Sequence, residues 1–170
     1  MMGIFSIKRA FLSSIYICFI IGLVSGTTIV KMKVNDFCPL LFKDCGSEAG
    51  TLSAVNFNGT CSGGKAQLQK GTVVAIQFTL STKADEASLN SKVYGKIGVL
   101  PFVSFPLDNP DACKDSGLTC PVKANTVVQY LPVLNVLKSY PSVDVIVKWE
   151  LQNKDGKNVF CTLIPASITG

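Results

Sequence analysis

An apolar stretch interrupted by two prolines is the feature that most constrains the fold of this chain. Residues 98–107 are rich in Val, Phe and Leu, but Pro101 and Pro106 each lack a backbone N–H. The stretch therefore forms neither a helix nor a long central strand. Residues 108–120 are turn-forming and contain two cysteines that a short disulfide would hold together. Two interpretations have equal support: a proline-rich edge strand followed by a stapled loop, or the mouth of a cavity.

The first 26 residues predict a secretory signal peptide. Lys8 and Arg9 precede an uncharged run over 10–24, and Ser25-Gly26 provides small residues for cleavage before Thr27. The run is short for a membrane span, so an uncleaved signal anchor is the less favoured alternative. We expect a leader segment over 27–41 and one domain over 42–170.

Charge and cysteine content exclude several classes of function. The net charge is +5, no arginine follows Arg9, and the lysines are scattered, so nucleic acid is not an expected partner. Six cysteines follow the signal peptide, and in an exported chain they are expected to form disulfides, with 15 pairings open. The sequence has no histidine and no C-x-x-C motif, so we expect no metal site, no redox site and no cofactor. The six cysteines are Cys38, Cys45, Cys61, Cys113, Cys120 and Cys161.

Alternating apolar residues between turn signals predict an all-β domain. No segment keeps a 3.6-residue period over three turns. The pattern predicts seven or eight short strands, which favours a two-sheet β-sandwich over a closed barrel. Asn58-Gly59-Thr60 is a glycosylation sequon and also good turn chemistry, so Asn58 is expected on an exposed loop. Alternation predicts strands at 51–57, 66–81, 88–97, 143–151 and 159–168; residues 126–130 are β-branched, and 131–137 form a further apolar run that contains Pro132.

The sequence does not predict an enzyme. Without histidine, a serine or cysteine nucleophile lacks its usual base. Asp108 and Asp111 flank Asn109-Pro110, where aspartate is favoured as a turn residue, and we do not interpret them as a catalytic pair. The unusual feature is instead the number of apolar side chains in segments whose prolines prevent regular pairing with a neighbouring strand. It suits a sandwich with an apolar space between its sheets and a lipid as ligand, each buried methylene contributing ~0.8 kcal/mol before binding costs. The residues concerned are Phe102, Phe105, Leu131, Val133, Val136 and Tyr140.

Several phrases of the sequence carry a resemblance to a known family. They include Phe105-Pro106-Leu107-Asp108-Asn109-Pro110-Asp111-Ala112-Cys113, running on to Cys120-Pro121, and Lys148-Trp149-Glu150-Leu151. In these phrases the chain resembles the ML lipid-recognition domain family, in particular its secreted and lysosomal sterol carriers. The resemblance covers residues 42–168. It implies an immunoglobulin-like sandwich of two antiparallel sheets with the ligand between them.

The resemblance also implies a set of disulfides. Family pairings carried onto this chain are Cys45–Cys161 and Cys113–Cys120. The family usually closes a small disulfide loop near Cys61, but Ala66 stands where the second cysteine would fall. Cys61 is then left with Cys38, so we predict a bridge that ties the leader to the sandwich.

Ligand-site positions follow from the same resemblance. It places Phe105, Val136 and Tyr140 at the pocket, with Tyr130 and Trp149 at aromatic positions nearby, and we add Phe102, Val103, Val74 and Ile76 to the predicted site. Three family residues are altered here: a proline is replaced by Asn135, an aromatic residue by Thr162 and a tyrosine by Val74. The altered positions leave the identity of the lipid open. Leu100, Phe102 and Leu137 are expected to form an exposed apolar rim.

These observations lead to one main hypothesis and two alternatives. The main hypothesis is a secreted, extracellular or lysosomal monomer that carries a sterol or similar lipid without covalent chemistry. Its partners are expected to be membranes or a membrane-bound lipid acceptor. The first alternative is a lipid-sensing accessory protein that binds a fatty acid, a phospholipid or a multi-chain amphiphile for a receptor. A more remote alternative is an adhesion module without a ligand.

Overall fold

The structure, a computed structural model, describes residues 37–170. The predicted signal peptide over 1–26 and residues 27–36 of the predicted leader lie outside the described residues. Among residues 37–170 the regular elements are all strands, and no helix there is long and apolar enough to cross a membrane. The strands are β1 Cys38–Pro39, β2 Lys43–Asp44, β3 Gly50–Phe57, β4 Cys61–Ser62, β5 Lys65–Gln69, β6 Thr72–Thr82, β7 Leu89–Lys96, β8 Val103–Phe105, β9 Val128–Tyr130, β10 Val133–Val136, β11 Asp144–Asn153 and β12 Asn158–Thr169.

The strands form two sheets that pack face to face, which confirms the predicted sandwich. In the first sheet the order is β1-β3-β6-β10, and β9 also pairs with β6. In the second sheet the order is β4-β5-β12-β11-β7-β8, and β2 also pairs with β12. The strand pairs are antiparallel except for β5 and β12, which run parallel. The short strands β10 and β8 therefore lie at edges of the two sheets.

The predicted strand over 66–81 is wrong as a single strand. The chain turns at Lys70-Gly71, so β5 belongs to the second sheet and β6 to the first. Gly71 has a positive φ of 77°, which residues with a Cβ rarely adopt. Its N–H donates to the carbonyl of Val136 at 2.6 Å. Alternation continues on both sides of the turn because both strands face the same core from opposite sheets.

The β11–β12 hairpin forms at the predicted turn. The side-chain oxygen of Asn153 accepts hydrogen bonds from the N–H groups of Asp155 at 3.1 Å and Lys157 at 3.0 Å. The ladder shifts register between Leu151 and Gln152, and beyond this irregularity Trp149 lies opposite Thr162. A one-residue slip would turn every inward side chain of the hairpin to solvent, so the turn and the register shift together determine which face of β11 is buried.

Three disulfides connect the strands: Cys45–Cys161, Cys113–Cys120 and Cys38–Cys61. The Cα atoms of Cys38 and Cys61 are 6.2 Å apart. Ala66 lies directly opposite Cys61 in the β4–β5 ladder and is buried. β1 pairs with the end of β3, so the sheet begins at Cys38, ahead of the predicted domain start at Phe42.

Four aromatic side chains fill one end of the sandwich. Phe78 lies at the centre, with ring centroids 5.0 Å from Phe160, 5.1 Å from Trp149 and 5.8 Å from Tyr130. The four rings are completely buried. The Ser91 hydroxyl contacts the Tyr130 hydroxyl at 2.7 Å and accepts a hydrogen bond from Trp149 Nε1 at 3.3 Å. Burial raises the pKa of Tyr130 to about 12, so this phenol stays neutral and its polar atom is satisfied inside the core.

Candidate functional site

An apolar cavity lies at the other end of the sandwich, between the two sheets. Its volume is about 350 Å³, within the range of roughly 300–1,000 Å³ typical of small-molecule sites. Of its 18 lining residues, 14 have no polar side-chain atom. The lining consists of Leu68, Val93, Tyr94, Gly95, Ile97, Leu100, Pro101, Val103, Ser104, Phe105, Leu134, Asn135, Val136, Tyr140, Pro141, Val145, Val147 and Ile168.

The cavity exists because inward side chains become smaller toward this end of the sandwich. On β11 the inward residues change from Trp149 to Val147 and then Val145. Trp149 lies opposite Val93 on β7, and Val147 lies opposite Gly95. Bulky rings thus fill one end of the sandwich, whereas valine and glycine leave space at the other.

The mouth of the cavity lies between the edge strands β8 and β10. Val103 and Ser104 on β8 are exposed and also line the cavity, so the cavity reaches solvent on this side. Phe105 and Tyr140 meet edge to face here, with ring centroids 5.7 Å apart. Burial, followed by the negative charge of Asp108, raises the pKa of Tyr140, so its hydroxyl stays protonated at neutral pH.

A smaller cavity of about 140 Å³ adjoins the mouth. It shares part of its wall with the larger cavity, and Asp108 borders it. Asn135 Nδ2 on β10 donates a hydrogen bond to Asp108 Oδ2 at 2.5 Å, joining β10 to the segment that follows β8. The shared wall consists of Phe105, Leu134, Asn135 and Tyr140.

Four of the nine predicted ligand-site residues line the larger cavity. They are Val103, Phe105, Val136 and Tyr140. They come from β8, β10 and the segment after β10, which are distant in sequence and meet at the mouth. The proline-interrupted stretch is thus both an edge strand with a stapled loop and the border of a cavity, so both interpretations of it apply.

The other five predicted residues lie outside the lining of either cavity. Tyr130 and Trp149 belong to the aromatic cluster, and Val74 and Ile76 are buried on β6. Phe102 packs beside two lysines, with Lys96 Nζ 5.7 Å and Lys148 Nζ 5.5 Å from its ring centroid. Lys148 is next to Trp149 on β11, so Phe102 covers the sheet face opposite to the core.

Sequence reasoning missed most of the lining that comes from the second sheet. Val93 of β7 and Ile168 of β12 line the cavity but were assigned no role at the ligand site. Alternation identifies such residues as inward-facing. It does not say how far along the sandwich each lies, so no signal in the sequence separated them from the aromatic core.

Exposed apolar residues surround the mouth. Val99 is 98% exposed, and Leu100 and Leu137 are about half exposed. These three residues lie in the loop between β7 and β8 and just after β10. The outer side of the mouth therefore carries exposed apolar side chains beside the polar Asp108–Asn135 pair.

The geometry defines the class of protein: a β-sandwich with an apolar cavity that opens between edge strands of its two sheets. Among the described residues no group of acidic, cysteine or histidine side chains is arranged to hold a metal ion. The ML domain family model matches residues 39–168. The chain belongs to the ML domain family.

Individual relatives agree with this assignment. The ecdysteroid-regulated 16 kDa protein of Manduca sexta is 44% identical over 128 residues, covering 75% of this chain and 87% of that protein. NPC intracellular cholesterol transporter 2 homolog a of Drosophila melanogaster is 41% identical over 131 residues, covering 76% and 87%. A crystal structure of a Niemann-Pick type C2 protein from Japanese carpenter ant has a TM-score of 0.71 and 28% identity. It covers 76% of this chain and 100% of that chain.

Proposed function

We propose that this protein binds one lipid molecule, a sterol or a lipid of similar size, in the cavity between its sheets and carries it reversibly. The observation that carries the proposal is the cavity of about 350 Å³ with its almost entirely apolar lining. Burial of apolar surface contributes about 25 cal/mol per Å², so such a lining favours a ligand without charge along most of its length. The name of the Drosophila relative, a cholesterol transporter homolog, supports a sterol as the first ligand to test.

Binding requires no covalent step. Phe105, Tyr140 and Val136 form the wall nearest to the mouth, and the aromatic cluster closes the inner end. Ligand enters between β8 and β10 because no strand pairing joins these two edges. Residues such as Phe102, Tyr130, Trp149, Val74 and Ile76 then act on the ligand indirectly, by holding the sheets and the mouth loop in place.

Export and membrane contact are part of the proposal. The predicted signal peptide, the three disulfides and the Asn58 sequon all suit a secreted or lysosomal glycoprotein. Asn58 Oδ1 accepts a hydrogen bond from the Ala75 N–H at 2.6 Å, which leaves Nδ2 as the atom for a glycan. The exposed residues Leu100 and Leu137 touch a membrane, or a membrane-bound acceptor, while a monomer hands over its lipid.

A fluorescent-sterol titration of purified protein tests the site. Phe105→Ala and Val136→Ala are each expected to weaken binding about tenfold or more, since removing the two methyl groups of Val136 costs ~1.6 kcal/mol and removing the larger ring of Phe105 costs more. Val127→Ala is the matched control, because Val127 is 70% exposed and borders neither cavity.

Unchanged affinity in both cavity variants would contradict the proposal. Mass spectrometry of lipids extracted from the native protein identifies the cargo. A stoichiometric sterol supports carriage, whereas a stoichiometric multi-chain amphiphile would favour a lipid-sensing accessory protein.

A further inference from the structure

Asp108 is the only charged residue that borders either of the two cavities in the described part of the chain. The remaining polar side chains of their walls are neutral: Tyr94, Ser104, Asn135 and Tyr140. A lipid whose apolar body fills the larger cavity must place its polar head near polar groups, since burying an unpaired polar group is costly. The wall shared by the two cavities, which contains Asn135 and Tyr140, provides such groups.

The hydrogen bond to Asp108 fixes how Asn135 presents its amide. An Asn135 turned the other way would aim Oδ1 at the carboxylate, so the negative charge holds Nδ2 toward Asp108 and leaves Oδ1 as an acceptor. Asp108 takes part in none of the five ion pairs among residues 37–170, so no lysine there neutralises it by direct contact. Lys138, which follows β10, instead packs against Gly71. On β10, Asn135 alternates with the buried Leu134 and Val136 and is exposed, as is Asp108, so the pair lies at the rim of the mouth and offers carboxylate and amide oxygens to a head group placed there.

We propose that the Asp108–Asn135 pair selects the head group of the ligand, favouring neutral heads that donate a hydrogen bond, such as a hydroxyl, over carboxylate or phosphate heads. This inference rests on the proposed lipid carriage and narrows its ligand class. A hydroxyl donates to the free oxygens of the pair, whereas an anionic head has no proton to donate and is repelled by the charge of Asp108. The positive net charge of the chain acts at longer range and is screened beyond about 10 Å in 0.1 M salt.

The expected discrimination is modest because Asp108 is exposed. Two like charges ~4 Å apart in a watery environment disfavour binding about fivefold. Desolvation of an anion disfavours it in any apolar site. The decisive quantity is thus the change in the alcohol-to-acid affinity ratio when the charge is removed, not the ratio itself.

The experiment uses two probes with the same chain, oleyl alcohol and oleate, at pH 7.5. Each competes with a bound fluorescent sterol, first for the wild-type chain and then for Asp108→Asn. The variant keeps the shape of the side chain and removes its charge. Asp115→Asn is the matched control: it makes the same charge change on an exposed residue outside both cavities, whose φ of 49° asparagine accepts.

The expected result is that Asp108→Asn lowers the alcohol-to-oleate affinity ratio about fivefold, whereas Asp115→Asn leaves it unchanged. In wild-type protein, 1 M salt is expected to lower the ratio as well, because screening then acts within about 3 Å. An unchanged ratio in Asp108→Asn and in high salt overturns the head-group inference while lipid carriage stands. If neither probe nor the sterol binds, the head-group inference and the proposal of lipid carriage are both overturned.

Discussion

Filling the cavity by one substitution separates ligand binding from folding. Val93 is 4% exposed, lies on β7 between Trp149 and Phe105 on the neighbouring strands, and lines the larger cavity. In Val93→Phe the added ring atoms extend into the cavity, and phenylalanine is well tolerated in strands. We expect a folded protein with a partly occupied ligand site.

The magnitudes follow from the space available. In a close-packed core such an enlargement costs about 1–3 kcal/mol. Here a cavity of about 350 Å³ receives the ring, so the free energy of unfolding is expected to change by less than about 1 kcal/mol. If the ring displaces two methylene groups of the ligand, binding loses ~1.6 kcal/mol, or about 15-fold in affinity.

Urea denaturation with and without lipid measures both effects together. At a free lipid concentration of about 100 times the wild-type Kd, the ligand is expected to stabilise the wild-type protein by about 2.7 kcal/mol. At the same concentration Val93→Phe is expected to gain only about 1.2 kcal/mol. Val127→Phe, the same change at an exposed position, should behave like the wild type. Equal stabilisation of folded Val93→Phe and wild type would refute the assignment of the ligand to this cavity.

Two further predictions concern stability. Replacing Cys38 and Cys61 by alanine opens a loop with a sequence separation of 23, which lowers the free energy of unfolding by about 3–4 kcal/mol in the chain-entropy model. Lipid affinity should be unchanged, because neither residue borders a cavity. A loss of less than about 1 kcal/mol in the free energy of unfolding, measured by urea denaturation, would show that the bridge restricts the unfolded chain very little. The hydrogen bond from Lys123 lowers the pKa of Asp85 below its ordinary value of 3.8. Ionised Asp85 therefore stabilises the folded protein above pH 3.8, and this stabilisation is lost as the pH falls below that value. The fall in Tm from pH 5 to pH 3 should therefore be smaller in Asp85→Asn than in wild type, and equal falls would argue against this linkage.

The sequence predicted the strands well where the alternation was regular and the turn chemistry was strong. The hairpin at residues 153–156 and the edge character of β8 both follow from local rules about asparagine, glycine and proline. The single strand predicted across Lys70-Gly71 was wrong because alternation is the same whether a chain continues in one sheet or crosses to the other. The positive φ of Gly71 decides between these two paths, and it is not visible in an apolar pattern.

The candidate site was predictable only in part. Val103, Phe105, Val136 and Tyr140 lie in proline-interrupted segments, which mark places where strands cannot pair. Val93 is an ordinary inward strand residue, and its place beside the cavity depends on its register with Trp149. No local signal distinguishes such a residue from one in the aromatic core.

By itself, the amino-acid sequence determined the all-β class, the interruptions at Pro101 and Pro106, and the resemblance to the ML family. These properties depend on neighbouring residues or on phrases that stay together along the chain. Tertiary structure alone decided where the sandwich is hollow, because space appears only where the small inward residues of several strands meet at one end. It also brought Asn135 to Asp108, which is 27 positions earlier, across the mouth of that hollow end.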